Sequence, residues 1–199
     1  MSPRRQQDND RIRDGRRQQI LQAALQVFAR CGLSAARMAD IAREAAVSAG
    51  LAYHYFSSKE EMFHELVTMA LHASLEVYEN AAISEGSAWE RLSRLVRWVV
   101  PSAFSGIGSL YFLVVIQSFT FKDIPENTRR LVAEKYPRYH EILVDLITQA
   151  QEDGSVRPGP PSAFANGINA VIQGLAVMSA ADPGMQMPDP ETILHMMQV

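Results

Sequence analysis

Apolar residues along this 199-residue chain recur at the spacing of a helix face, and no segment shows the two-residue alternation of a strand. That pattern argues against a sheet-based fold and predicts an all-α protein. Ile20, Ala23, Ala24, Val27, Phe28 and Cys31 form the first such face. Gly32 closes it as glycine closes a helix C-terminus, with Cys31 expected as a buried thiol. Met38, Ile41, Ala42 and Ala45 repeat the pattern over a shorter helix, residues 37–45. Ser48 can cap a third helix, residues 49–56, by accepting a first-turn N–H. Ser58 and Glu61 make an S-x-x-E capping box that opens a fourth helix, expected to reach about Asn80. Further helices are expected over residues 89–104, 110–119, 126–152 and 162–180, with a short last one from Pro190 to the C-terminus. Pro101 should bend or end one of them and Pro137 kink another. Ser105-Gly106-Ile107-Gly108 and Asp182-Pro183-Gly184 read as breaks.

Charge is divided unevenly. Residues 1–60 hold ten Arg and Lys against six Asp and Glu, net +4, and the remainder holds nine against sixteen, net −7. A basic segment on an acidic body points to a polyanion partner for that segment alone. Residues 1–12 read as a flexible polar and basic tail, 13–60 as a DNA-binding unit for the reasons below, and 61–199 as a second helical unit. The polar N-terminus lacks the apolar core of a signal peptide. No apolar run reaches the ~18 residues of a membrane span. No membrane partner is therefore expected, and the expected location is the cytoplasm, at the nucleoid. A single cysteine argues against a disulfide framework or a multi-cysteine zinc site.

The helices at 37–45 and 49–56, joined by Ala46-Val47-Ser48, make a helix-turn-helix. At 100° per residue, Ala52 and Phe56 share the inward direction of the second helix, while Gly50, Leu51 and His54 point away, with Tyr53 and Tyr55 on the flanks. The outward set can enter a DNA major groove, which admits a helix. Gly50 would allow close backbone approach. The hydroxyls of Tyr53 and Tyr55 can donate to phosphate oxygens, and His54 to a phosphate or a base edge. An aromatic packing cluster is the competing reading of these three rings. Lys59 stands at the first position of a helix, where the macrodipole disfavours a cation by about 0.3–1 kcal/mol, and a phosphate partner would offset that.

The run from Ile41 to Phe63, I-A-R-E-A-A-V-S-A-G-L-A-Y-H-Y-F-S-S-K-E-E-M-F, resembles the signature of TetR/AcrR-type transcriptional regulators, as does Phe28-Ala29-Arg30-Cys31-Gly32 before it. The resemblance covers about residues 13–65, a third of the chain, and its Tyr-His-Tyr-Phe-x-x-Lys core is specific. It implies an all-helical homodimer with an N-terminal three-helix DNA-binding domain and a C-terminal helical ligand-binding and dimerisation domain. Such a protein binds double-stranded DNA at a palindromic operator, usually as a repressor released by a small-molecule effector. By position, Ser48, Gly50, Tyr53, His54, Tyr55 and Lys59 match DNA-contacting positions of the family. Arg37 and Met38 stand where the family often has Thr, and Ala49 and Leu51 replace polar residues often found at the start of the recognition helix. Direct base hydrogen bonds should then be few. Arg37 and Arg43 could supply backbone contacts, and Ala49 or Leu51 could touch a thymine methyl.

One such module contacts few base pairs, so two are expected, with half-sites ~34–36 Å apart. Ala163, Gly167, Ala170 and Gly174, beside Val171, form a small-residue stripe that could be the dimer interface or ordinary intrachain packing. Trp98, Phe104, Tyr111, Phe112, Phe119, Phe121, Tyr136 and Met178 could line a pocket for an apolar or neutral ligand, though plain core is the alternative for each. The amides Gln117, Gln149, Asn166, Asn169 and Gln173 lie in or near apolar helices and need partners if buried, with Gln149 and Gln173 taken as ligand candidates. An enzyme is not expected: there is no G-x-S-x-G elbow, P-loop, dinucleotide G-x-G-x-x-G or H-E-x-x-H. No cofactor, metal or catalytic residue is assigned. The second functional reading is a DNA-binding regulator with no small ligand, controlled by a protein partner or by abundance.

Overall fold

A computed structural model describes residues 3–104, 106–182 and 184–198 of the chain. Met1 and Ser2 of the expected tail, Ser105 and Pro183 of the two expected breaks, and Val199 lie outside the described residues. The protein is all-α. Its helices are α1 (Pro3–Ala35), α2 (Met38–Glu44), α3 (Ala49–Tyr55), α4 (Lys59–Ile83), α5 (Ala88–Phe104), α6 (Gly106–Thr120), α7 (Glu126–Glu152), α8 (Pro161–Ala181) and α9 (Pro190–His195). Among the described residues the one extended pairing is an isolated bridge between Val156 and Gln198.

The 3.6-residue pattern explains what each helix buries. Ile20, Ala24, Leu25, Val27 and Phe28 of α1 are fully enclosed, and α1 packs on α2, α4 and α6. Gly32 leaves helical geometry (φ 77, ψ 164), a conformation glycine adopts without steric cost, so α1 kinks there and resumes to Ala35. Cys31, expected to be buried, is exposed beside the kink, its Sγ 3.1 Å from the Val27 carbonyl. Residues 3–12, read from sequence as a tail, continue α1.

The N-terminal helices are short and are held at their ends. Ser48 Oγ accepts from Leu51 N at 3.2 Å and caps α3. Ser58 Oγ accepts from Glu61 N at 3.1 Å and caps α4. Glu61 reaches back one residue further than expected: its carboxylate accepts from Ser57 N at 2.7 Å and Ser57 Oγ at 2.6 Å, and these bonds hold it below the usual carboxylate range. Ala46, in the turn, takes the left-handed conformation (φ 52), which the composition of the turn did not signal.

Helices α4 to α8 enclose the body. α4 packs on α5, α6 and α7, α7 on α5 and α8, and α8 on α5 and α6. The apolar core runs without interruption from Ile20 on α1 to Leu194 on α9. Pro101 and Pro137 lie inside α5 and α7, each removing one rung without ending its helix. By length and composition α8 is apolar enough to cross a membrane. In the fold its Ala165, Ile168, Ile172, Leu175 and Ala176 are buried in the bundle.

Candidate nucleic-acid interface and effector cavity

The inward face of α3 is as the geometry requires: Ala52 and Phe56 are 0% and 1% exposed. Phe56 is backed by Arg17, whose guanidinium lies 4.5 Å from the ring centroid and pairs with both carboxylate oxygens of Glu65. Arg17 is thus engaged between α1, α3 and α4. Opposite that packing, Ala49, Gly50, Tyr53 and His54 are exposed, and Tyr53 retains 55% of its surface. Leu51 is half-buried. Tyr55 is half-buried against the core, and its ring stands edge-on to His54 at 5.3 Å. The packing-cluster reading therefore holds for part of Tyr55 and not for Tyr53 or His54. A Cβ built on Gly50 meets nothing within 4 Å, so the chain's own packing does not require glycine there.

The charged residues divide by role. Arg37 precedes α2 and is exposed, with no cap bond from its side chain. Arg43 is also exposed and pairs with Asp40 at 2.7 Å. Lys59 corrects the reasoning that reserved its ammonium for a phosphate. Its Nζ donates to the carbonyls of Leu33 (2.8 Å), Ser34 (3.2 Å) and Ala36 (2.9 Å). An ammonium has three donors, so none is left for DNA in this arrangement. Carbonyls at a helix end lack intrahelical partners and carry the negative end of the macrodipole. The lysine at the start of α4 answers to the end of α1, a tertiary contact invisible in the sequence.

Between α4, α5, α6, α7 and α8 lies a cavity of about 660 Å³. Of the candidates, Trp98, Tyr111, Phe112, Phe119, Tyr136 and Gln173 line it. Four do not. Phe104 packs half-buried against the core, Gln149 accepts from Arg91 at 2.7 Å, and Phe121 and Met178 are 56% and 54% exposed. Sequence reasoning missed Ser74, Tyr78 and Tyr139, and it left Asn169 unassigned, although all four line the wall. Among the described residues no charged side chain lines this cavity. Tyr78 packs edge-on against Tyr139 at 5.0 Å, and Tyr136 against Phe119 at 4.6 Å. Burial drives the Tyr78 hydroxyl well above the ordinary phenol range and raises those of Tyr111 and Tyr139. These groups thus stay neutral donors. Tyr139 donates to the Leu71 carbonyl and sits 2.9 Å from Ser74 Oγ.

The stripe on α8 faces outward: Ala163, Gly167 and Ala170 are exposed, and Val171 and Gly174 half-buried. A Cβ on Gly167 or Gly174 would meet nothing within 4 Å. Among the described residues no group of three His, Cys, Asp or Glu could hold a metal ion.

Comparison with known proteins matches both halves of the chain. A profile described as "Bacterial regulatory proteins, tetR family" covers residues 20–66, and one described as "BetI-type transcriptional repressor, C-terminal" covers residues 125–198. The repressor KstR2 of Mycobacterium tuberculosis is 30% identical over 146 residues, 73% of this chain and 71% of that protein. The regulator BetI of Agrobacterium fabrum is 38% identical over 166 residues, 81% and 75% of the two chains. Among solved structures, KstR2 superposes with a TM-score of 0.77 at 22% identity, over 92% of this chain and 95% of that one. AibR with isovaleryl coenzyme A and operator DNA gives 0.75 at 18%, over 90% and 94%. A regulator from Saccharomonospora viridis in complex with choline gives 0.69 at 24%, over 90% and 92%. At these identities the structural likenesses speak to the fold.

Proposed function

The chain belongs to the TetR family of bacterial transcriptional regulators, and from that premise we propose that it is a homodimeric repressor, working at the nucleoid, that a small neutral effector releases from a palindromic operator. Residues 13–60 form its DNA-reading unit and residues 61–199 its effector-binding and dimerisation unit. The observation that carries this reading is the solvent-facing row Gly50, Tyr53 and His54 on α3, held outward by the burial of Ala52 and Phe56. Arg37, Arg43, Ser48 and Tyr55 flank that row and supply phosphate contacts, while Ala49 and Leu51 offer methyl groups to thymine. Ser48 Oγ can serve as cap acceptor and phosphate donor together, because a hydroxyl does both.

The cavity supports the effector half of the proposal over regulation by a protein partner or by abundance. Its size is that of small-molecule pockets. A wall that is mostly apolar and carries no charged side chain among the described residues favours an uncharged, mostly apolar ligand, with a hydrogen-bonding end facing Tyr78, Asn169 and Gln173. The exposed stripe on α8 is the proposed dimer contact, since its glycines face open space in the single chain.

Selection of bound duplexes from a random pool, followed by light scattering of the complex, tests the reading. It predicts enrichment of an inverted repeat bound by an even number of chains, with affinity falling steeply as salt rises. Recovery of no preferred sequence, or of a monomer on a single half-site, overturns it.

A further inference from the structure

Helix α6 shows different faces to the two parts of the molecule. Tyr111, Phe112, Val115, Ile116 and Phe119 line the cavity. Val114, Gln117 and Ser118 are buried instead, and α6 also packs on α1 and α4. Gln117 is the polar member of that buried set whose side chain crosses to another helix. Its Nε2 donates to the Phe28 carbonyl of α1 at 2.8 Å, and its Oε1 is buried without a partner.

The place it grips is specific. Phe28 lies in the turn before the Gly32 kink. A few residues on, the carbonyls of Leu33, Ser34 and Ala36 are held by Lys59. The end of α1 is therefore gripped from two sides, by the first residue of α4 and by the middle of the cavity-lining α6. α1 in turn carries α2, with Gln19 Nε2 donating to the Ala45 carbonyl at 2.7 Å in the turn before the reading helix.

We propose that Gln117 is the positioning residue through which the state of the cavity reaches the DNA-reading helices; the proposal rests on the effector-site reading above. Its physics is that of a contact poised between two arrangements. One hydrogen bond joins α6 to the α1 backbone, and such bonds weaken steeply beyond about 3.2 Å, so a shift of α6 by about 1 Å breaks it. The unpaired Oε1 means that the amide is only half satisfied where it stands, and withdrawal toward water or toward a new donor is favourable for that atom. A ligand pressing on the Val115, Ile116 and Phe119 side of the helix acts on the same backbone that positions Gln117. When the amide lets go, the end of α1 loses a side-chain hold, and α2 and α3 move with it.

A substitution that fills the cavity, Asn169→Trp on α8, tests this without an identified effector. The DNA is a duplex selected from a random pool with the unsubstituted protein. Asn169→Trp is expected to weaken duplex binding about tenfold in the native background and less than about threefold in Gln117→Met, within the usual range of allosteric coupling. Gln117→Met alone removes the donor and is expected to weaken duplex binding about as much as Asn169→Trp does, with a native thermal transition. Equal weakening in both backgrounds overturns the role of Gln117 and leaves the effector site standing. Native duplex binding by Gln117→Met alone overturns it as well. No weakening by Asn169→Trp in the native background overturns the effector-site reading, and this proposal with it. Should Gln117→Met not fold, Gln117→Asn carries the same comparison, because it withdraws the donor by one methylene and keeps the amide.

Discussion

The DNA-reading end and the cavity-bearing body are both helical, yet they handle polar groups in opposite ways. α2 and α3 have seven residues each, too few to persist alone, so they rely on end contacts: Ser48 on α3, Gln19 on the Ala45 carbonyl and Lys59 on the end of α1. Their free polar groups face water. The body has helices of up to 27 residues whose packing sustains them, and it turns tyrosine, serine and amide groups inward onto a cavity. The difference separates two kinds of substitution: those that undo the reading end by releasing its ends, and those that leave it folded and remove only its outward face.

The largest effect should come from the core both regions share. Phe63 is fully buried on α4, edge-on to Phe28 at 5.5 Å, and Phe63→Ala is expected to cost about 3–5 kcal/mol in denaturant unfolding. If the reading end then melted before the body, the two regions would be less tightly joined than their shared core implies. Lys59→Met keeps the stem and removes the donors. It is expected to lose about 1.5–3 kcal/mol of stability while the salt slope of DNA binding stays constant. Unchanged stability with a slope smaller by about one would return Lys59 to a phosphate. Gly50→Ala inverts that pattern. It should stabilise α3 by about 0.5–1 kcal/mol, because the added methyl meets nothing, yet weaken duplex binding.

The smallest effect concerns acid. Glu61 has a lowered pKa in the fold, first because of its hydrogen bond from the Ser57 hydroxyl. Its contribution is therefore complete above the unfolded carboxylate value of about 4.3 and disappears as pH falls through the lower folded value. Glu61→Gln should flatten the acid limb of a stability profile below about pH 4.3. An acid limb identical to the native one would show that the Ser57 contact contributes nothing there.

Much of this was legible because a long, strongly periodic helix carries its own boundaries: α7 spans Glu126–Glu152 as the pattern predicted, and α2 and α3 fall within a residue of expectation. On α3 the 100° spacing placed Gly50 and His54 outward, as they are, whereas Leu51, also expected outward, is half-buried and Tyr53, expected on a flank, is exposed. What stayed hidden depends on contacts between distant segments. Lys59 finds its carbonyls some 25 residues away in sequence. Gln149 is occupied by Arg91, so its place near an apolar helix said nothing about a ligand. Tyr78 and Tyr139 meet at one wall only because α4 and α7 pack together. Gln117 was recognisable as an amide needing a partner, but nothing in its spacing named the Phe28 carbonyl.

The most direct measurement is the affinity of a His54→Ala, Tyr53→Phe double variant for the selected duplex, taken beside its thermal transition. Removing the imidazole and the Tyr53 hydroxyl from an exposed face is expected to leave the midpoint unchanged and to weaken binding by about 2 kcal/mol, roughly thirtyfold. Binding retained within about threefold by an equally stable variant would contradict the assignment of α3 as the surface that meets DNA.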